Sequence, residues 1–246
     1  MRVLVLGLLT VALLMAFSSV GRAVKDGLVL YYDFEKSSGD KFIDKSEAGN
    51  DGTIKGTLKQ VEGKHGNAPL FDFNAANYVD AGKPPFDRLP DGGTIEAWVK
   101  PASLPRVISV IRKDHDFNIF LWGPHVKGEW FKEGNIYPCE GTTTLEVDKW
   151  YHIAATWDGK TIDVYLDGEL EKSTSNGAAF NRTGPHSLYI GLAPVYKEPF
   201  DGIIDEVAIY DRPLTEKELQ QDMKGVVASV FPSGKLATAW GHLKSQ

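Results

Sequence analysis

The chain has 246 residues, with 33 acidic and 27 basic side chains, a formal net charge of −6 and a hydrophobic fraction of 42%. An acidic balance argues against a nucleic-acid partner, because a phosphate backbone calls for a basic face. Cys139 is the only cysteine, so no intrachain disulfide is available, and a chain of this size can rely on one hydrophobic core instead.

The N-terminus has the features of an export signal. Arg2 supplies a short positive region, Val3 to Phe17 is apolar apart from Gly7 and Thr10, and Gly21-Arg22-Ala23 puts small residues at the −3 and −1 positions of a cleavage site. The apolar run falls short of the roughly 20 residues that a spanning helix needs. Residues 1–23 are therefore expected to be a signal peptide cut after Ala23, with retention as a signal anchor as the alternative. Cleavage would leave 223 residues, 25 of them basic and 33 acidic. No later run is long and apolar enough for a bilayer, and no cysteine follows the signal to carry a lipid. The expected product is an exported protein without a stable membrane anchor: secreted, periplasmic or held at the cell surface.

From Gly27 onward, short apolar segments are cut by Gly, Asp, Asn and Pro. Leu28 to Phe34, Asn50 to Ile54, Ala68 to Phe73 and Asn77 to Asp80 read as the first strands. Thr94-Ile-Glu-Ala-Trp-Val-Lys100 alternates, with Ile95, Ala97 and Val99 on one face and Glu96, Trp98 and Lys100 on the other. Val107 to Ile111 and Asn118 to Trp122 follow. Trp150 to Trp157 meets Thr161 to Leu166 across Asp158-Gly-Lys160, and Asp167-Gly168 leads to Glu169 to Ser173, giving two successive hairpin signals. Ser187 to Leu192 is another strand. Many short strands with a turn signal every 8–12 residues or so indicate a two-sheet sandwich.

The segment 200–219 is the most informative. Asp201-Gly202 is a turn signal, and in the strand after it Val207 and Ile209 point one way and Ala208 and Tyr210 the other. Simple alternation puts Asp205 with Val207 and Ile209, facing inward, and Asp205 and Glu206 on opposite faces. Pro213, which lacks a backbone N–H, ends the strand. Thr215 with Glu218 three residues on forms a capping box for a short helix over 214–223. Residues 223–246 form a C-terminal tail of unassigned role, and 24–222 a single domain.

Several of these segments stand in a familiar order. They are Leu-Tyr-Tyr-Asp-Phe34, Gly63-Lys-His-Gly-Asn-Ala68 with Phe71-Asp-Phe73, Asn77-Tyr-Val79, Thr94-Ile-Glu-Ala-Trp-Val-Lys-Pro101, Trp150-Tyr-His-Ile-Ala-Ala-Thr-Trp-Asp-Gly159, Val164-Tyr-Leu-Asp-Gly168, Tyr189-Ile-Gly191 and Phe200-Asp-Gly-Ile-Ile-Asp-Glu-Val207. Together they resemble the laminin G-like, concanavalin A-like lectin/glucanase jelly-roll family. The resemblance implies an all-β fold, a two-sheet antiparallel jelly-roll sandwich with one short C-terminal helix. It also implies a binding or adhesion module, often for carbohydrate and often with one structural calcium.

Calcium takes six to eight oxygen ligands. The candidates are Asp205, Asp33 and Glu35 near the first strand, and Asn50 or Asp51 in the turn after it, because the terminal strand and the N-terminal segment tend to meet in the family. The alternative for Asp205 is a carboxylate satisfied by backbone N–H groups at a bulge. For carbohydrate, which stacks on aromatic rings and takes hydrogen bonds from polar neighbours, the candidates are Trp122, His125, Trp130 and Tyr137, in a stretch of 117–137 interrupted by turn residues, and Trp98. Each ring has core packing as its alternative.

No catalytic residue is assigned. A two-carboxylate mechanism needs facing acids, and Glu96 has no acidic residue two positions away. Three readings stand: a glycan-binding module braced by calcium, a protein–protein or matrix-adhesion module without saccharide specificity, and a glycoside hydrolase or lyase of the same fold.

Overall fold

The computed structural model describes residues 26–226 except 36, 47, 76, 84–91, 133, 134, 176–185, 193 and 195. The expected signal peptide and the tail beyond residue 226 lie outside the described residues. In chain order the first strands are β1 (Leu28–Tyr32), β2 (Ser37–Ser38), β3 (Lys41–Phe42), β4 (Gly52–Lys55), β5 (Lys59–Glu62), β6 (Asn67–Phe71), β7 (Tyr78–Asp80) and β8 (Gly93–Pro101). Then come β9 (Val107–Lys113), β10 (Phe117–Trp122), β11 (His125–Lys132), β12 (Asn135–Glu140), β13 (Tyr151–Trp157), β14 (Thr161–Leu166), β15 (Glu169–Ser175), β16 (Leu188–Ile190) and β17 (Gly202–Tyr210), followed by helix α1 (Glu216–Asp222).

These strands form two antiparallel sheets. The eight-stranded sheet runs β15-β14-β13-β8-β17-β6-β5, with β1 also paired to β17, and the nine-stranded sheet runs β12-β11-β10-β9-β16-β7-β4-β3-β2. Inward side chains of both fill one core, among them Ile95, Ala97 and Val99 of β8, Ile119 and Leu121 of β10, Ile153 and Ala155 of β13, and Val207 and Ile209 of β17. Cys139 is buried in the same layer. Alternate residues of a strand face opposite ways, so the remaining side chains of each sheet define two outer faces.

The outer face of the eight-stranded sheet is covered. Helix α1 begins at Thr215, whose side chain accepts from the Glu218 N–H while the Glu218 carboxylate reaches back, completing the capping box. Leu214 and Leu219 pack with Tyr31, Ala154, Tyr165, Ala208, Tyr210 and Val226 into a second, smaller apolar cluster. Among the described residues, no helix is long and apolar enough to cross a membrane.

Strand β17 departs from simple alternation. Asp205 pairs with Trp98 and Ala208 with Glu96, so Glu206 and Val207 together oppose the single residue Ala97. This is a β-bulge, and Glu206 takes φ of 51° to make it. The extra residue shifts the phase. Val207 and Ile209 stay in the core, while Asp205 lies with Trp98 on the outer face, correcting the inward reading. Glu206 lies on that face too, since its carboxylate accepts from the Tyr31 hydroxyl at 2.8 Å. The two acids therefore share a face.

Candidate functional site

On the nine-stranded sheet, the hairpin of β10 and β11 brings polar and aromatic side chains together on the outer face. Trp122 stands across from His125, Phe120 from Lys127, and Asn118 from Glu129, each alternating with core residues Leu121, Ile119 and Phe117. The Trp122 and Phe120 rings meet edge to face with centroids 6.4 Å apart. The Lys127 ammonium lies 4.7 Å from the Trp122 centroid and the Arg106 guanidinium 5.2 Å from it. Arg106 is held there by its carbonyl, which accepts from the Gly123 N–H at the hairpin turn at 2.8 Å. Gly123 takes φ of +58°, which glycine adopts without strain.

Polar groups line the floor beside these rings. The Asn118 amide donates to Glu129 at 3.4 Å, yet its Oδ1 is buried and has no protein donor. A buried carbonyl oxygen in that position is costly unless a water or ligand supplies the bond. Arg112, opposite Asn118 on β9, is bonded to Asp114 at 2.6 Å and Glu198 at 2.7 Å. It also stacks on Tyr196, which is 48% exposed. Tyr189, paired with Arg112, meets Tyr78 edge-on at 5.7 Å. Tyr78 in turn borders an apolar cavity of about 400 Å³ with Phe73, Leu192 and Pro199. The face thus offers a half-buried ring at Trp122 and exposed rings at Tyr196 and Phe73, with hydrogen-bonding groups between them.

The predicted ring set is not gathered in one place. Trp122 and His125 belong to this face, with the His125 Nδ1 3.1 Å from the Thr143 carbonyl. Trp130 does not, because it alternates with Glu129 and points into the core, where it is 3% exposed. Tyr137, its cross-strand partner, packs against the same core. Trp98 is on the outer face of the other sheet but buried at 4% exposure, enclosed by Trp150, His152 and His65 and by Lys64 at 3.9 Å.

That covered face holds a buried acidic group. Glu96, fully buried on β8, lies within hydrogen-bonding reach of Asp222 on α1, and burial followed by the Asp222 charge lifts its carboxyl well above the usual range. Burial likewise pushes Asp222 up to about 6, although the Tyr210 hydroxyl donates to it at 2.5 Å. Burial thus favours the protonated form of each carboxyl. His152 Nε2 is 3.5 Å from Glu96, and burial, with the nearby Lys64 charge, lowers this imidazole to about 3, so the ring is neutral at pH 7. Glu96 does have an acidic partner, supplied by a helix far along the chain.

The residues put forward for calcium are also divided. Asn50 and Asp51 belong to a loop organised by Asp44, which accepts from the backbone N–H groups of Tyr31, Ser46 and Asn50, while its own N–H donates to Asp51. Asp205 accepts from the N–H groups of Lys64, His65 and Glu206, the bulge arrangement set out as its alternative. Asp33 and Glu35 line a separate cleft of about 280 Å³ with Tyr31, His65 and Glu206. There Glu35 accepts from the Asn67 N–H at 2.6 Å, and Asp33 lies 3.6 Å from the Lys45 ammonium. Among the described residues, no three His, Cys, Asp or Glu side chains are grouped closely enough to hold a metal. The five residues do not fit one calcium site.

Residues 73–220 match Laminin_G_3, of the concanavalin A-like lectin/glucanases superfamily. The chain belongs to this family. Its sandwich is similar to domain 4 of AbnA, an extracellular GH43 arabinanase from Geobacillus stearothermophilus, solved with arabinotriose. That likeness has a TM-score of 0.62 and 23% identity, and covers 80% of this chain and 97% of that one. It is also similar to the binding domain of Paraclostridial Mosquitocidal Protein 1 (TM-score 0.64, 18% identity, 81% of this chain and 52% of that one). The binding domain of Botulinum Neurotoxin DC, solved in complex with SialylT, is a further likeness (TM-score 0.63, 11% identity, 82% and 52%). The chain therefore spans about half the length of the toxin binding domains. At these identities the likeness establishes the fold. No curated protein matches the sequence.

Within this Laminin_G_3 sandwich, sequence reasoning missed Phe120, Lys127, Arg106 and Asn118. Phe120 and Lys127 had a usable signal, the alternation of 117–122 and 125–130 on either side of Gly123-Pro124. Arg106 had none, because the turn carries it to Trp122 from another part of the chain.

Proposed function

We propose that the protein is an exported binding module that holds a carbohydrate on the outer face of the nine-stranded sheet, at Trp122. The observation that carries this reading is the half-buried Trp122 ring, edge to face with Phe120, with Asn118 Oδ1, which has no protein donor, farther along the same face of β10. A sugar ring stacks its C–H face on an aromatic ring and supplies hydroxyl donors. The arabinotriose and SialylT in complex with two similar structures add support at the level of chemistry. Export rests on residues 1–23. No catalytic role is proposed, because Glu96 and Asp222 are closed off beneath α1.

The calcium brace implied by the family is carried here only as a proposal, with Asp33 and Glu35, which line one cleft, as the residues left to take part in it. Asp205 is left out because its oxygens already take three N–H bonds. A second reading, protein adhesion, draws on the exposed Ile136 of β12 and Leu170 of β15, at the edges of the two sheets.

The test is a glycan array with the wild-type protein and Trp122→Ala. Saccharide-selective binding that disappears in Trp122→Ala, with the melting temperature retained, supports the glycan reading. Binding that survives the substitution moves the site away from Trp122. Absence of any saccharide preference leaves the adhesion reading.

A further inference from the structure

We infer that the sugar recognised at Trp122 is anionic, its carboxylate or sulfate held between Arg106 and Lys127. This rests on the reading that the Trp122 face binds glycan, and it adds the chemical class.

The chain is acidic overall, at −6, yet two cations converge on one half-buried indole, at 5.2 and 4.7 Å. Among the described residues Arg106 has no carboxylate within ion-pair distance. Lys127 has Glu129 at 3.5 Å, and that carboxylate also receives the Asn118 amide. Glu140, the cross-strand neighbour of Lys127 on β12, is exposed and forms no ion pair with it among the described residues. Arg112 shows the contrast, since two short bonds to Asp114 and Glu198 neutralise it where it stands. The protein thus neutralises the cation deeper on this face with two short bonds, gives Lys127 one longer ion pair, and leaves Arg106 without a carboxylate among the described residues.

A neutral sugar offers that pair of cations only hydroxyl acceptors, without a charge to match theirs. An anionic sugar uses both features. Its ring lies against Trp122 while the acidic substituent takes charge-assisted bonds from the guanidinium and the ammonium, which are roughly twice as strong as neutral ones. The arrangement selects by charge at one position of the sugar ring.

The test is calorimetric titration of the full mature protein with two matched pairs of probes. One pair is a polygalacturonate oligomer and its carboxyl-reduced counterpart, and the other is a sulfated oligosaccharide and its desulfated form. In at least one pair, the anionic member is expected to bind about tenfold more tightly than its neutral twin, with the advantage shrinking as salt is raised. Preference confined to the first pair assigns a carboxylate, and preference confined to the second a sulfate. Arg106→Gln and Lys127→Gln should each weaken binding of the anionic member more than that of its neutral twin, whereas Trp122→Ala should remove binding of both. Equal affinity within both pairs, or equal loss of acidic and neutral binding in the Gln variants, overturns the inference and leaves glycan binding standing. Absence of all saccharide binding overturns both.

Discussion

Asp205 stands directly across from Trp98 in the β17–β8 ladder, and its carboxylate receives the N–H groups of Lys64, His65 and Glu206 at 2.9, 3.0 and 2.9 Å. One acidic side chain thereby fastens the turn between β5 and β6 to the bulge of β17. The fit is close, since a Cβ on Gly63 would come within 2.6 Å of Asp205 Oδ2. Asp205→Ala leaves these donors without their partner and is expected to cost about 2–3 kcal/mol. Melting curves should show the same loss with calcium and with chelator. A loss seen only with calcium would place a cation on Asp205.

Glu96 and Asp222 give the fold a pH dependence. Burial raises both carboxyls above the value near 4 that they have in the unfolded chain. The folded protein therefore binds their protons more tightly. Their stabilising contribution is complete below about pH 4 and is lost as pH rises through the folded values, about 6 for Asp222 and, beside them, about 7 for buried Glu206. Glu96→Gln keeps the neutral form at every pH. It should raise the melting temperature at about pH 8 by roughly 2–4 °C for each kcal/mol regained, and change little at about pH 5. Equal effects at the two pH values would mean that the pair does not titrate.

Trp122 and Trp130 lie on the same stretch of sequence but are predicted to respond in opposite ways. Trp130→Ala empties a core position and should cost about 3–5 kcal/mol in denaturant unfolding. Trp122→Ala removes a half-buried ring from the surface and should cost less than about 1.5 kcal/mol while abolishing glycan binding. A large stability loss for Trp122→Ala would make the ring structural.

The helix cap gives a smaller effect. Thr215→Ala removes the side-chain acceptor for the Glu218 N–H and should cost about 1 kcal/mol. Hydrogen exchange should quicken over 216–222 and leave the β13–β14 hairpin unchanged. If both regions quicken alike, α1 opens only with the whole domain.

Local chemistry made some parts of this molecule readable. The hairpin of β13 and β14, the face assignment of β8 and the capping box of α1 each depend on neighbouring residues and appear as expected. Strands β11 and β12 go unassigned from sequence because turn residues interrupt the stretch, although Val126, Gly128 and Trp130 alternate with Lys127 and Glu129. The bulge is legible only as the alternative for Asp205, since a single non-glycine residue with positive φ, Glu206, reverses the phase of the residues before it. The site suffered most. Arg106 reaches Trp122 through a turn and Asp222 reaches Glu96 through a docked helix, and periodicity carries no information about either.

The placement of β17 sets the order in which the protein can be completed. It is the last strand of the described chain to be synthesised, yet it lies inside its sheet, bonded to β8 on one side and to β6 and β1 on the other. Until residue 210 has left the ribosome, β8 and β6 each carry an open edge, and β1 waits for a partner across nearly the whole domain. A chain stopped before β17 is therefore not a smaller sandwich but two incomplete sheets with edges open to any neighbouring strand. Folding that depends on joining the two ends of the domain is intrinsically slow, because the pairing that closes the sheet spans nearly the whole described chain.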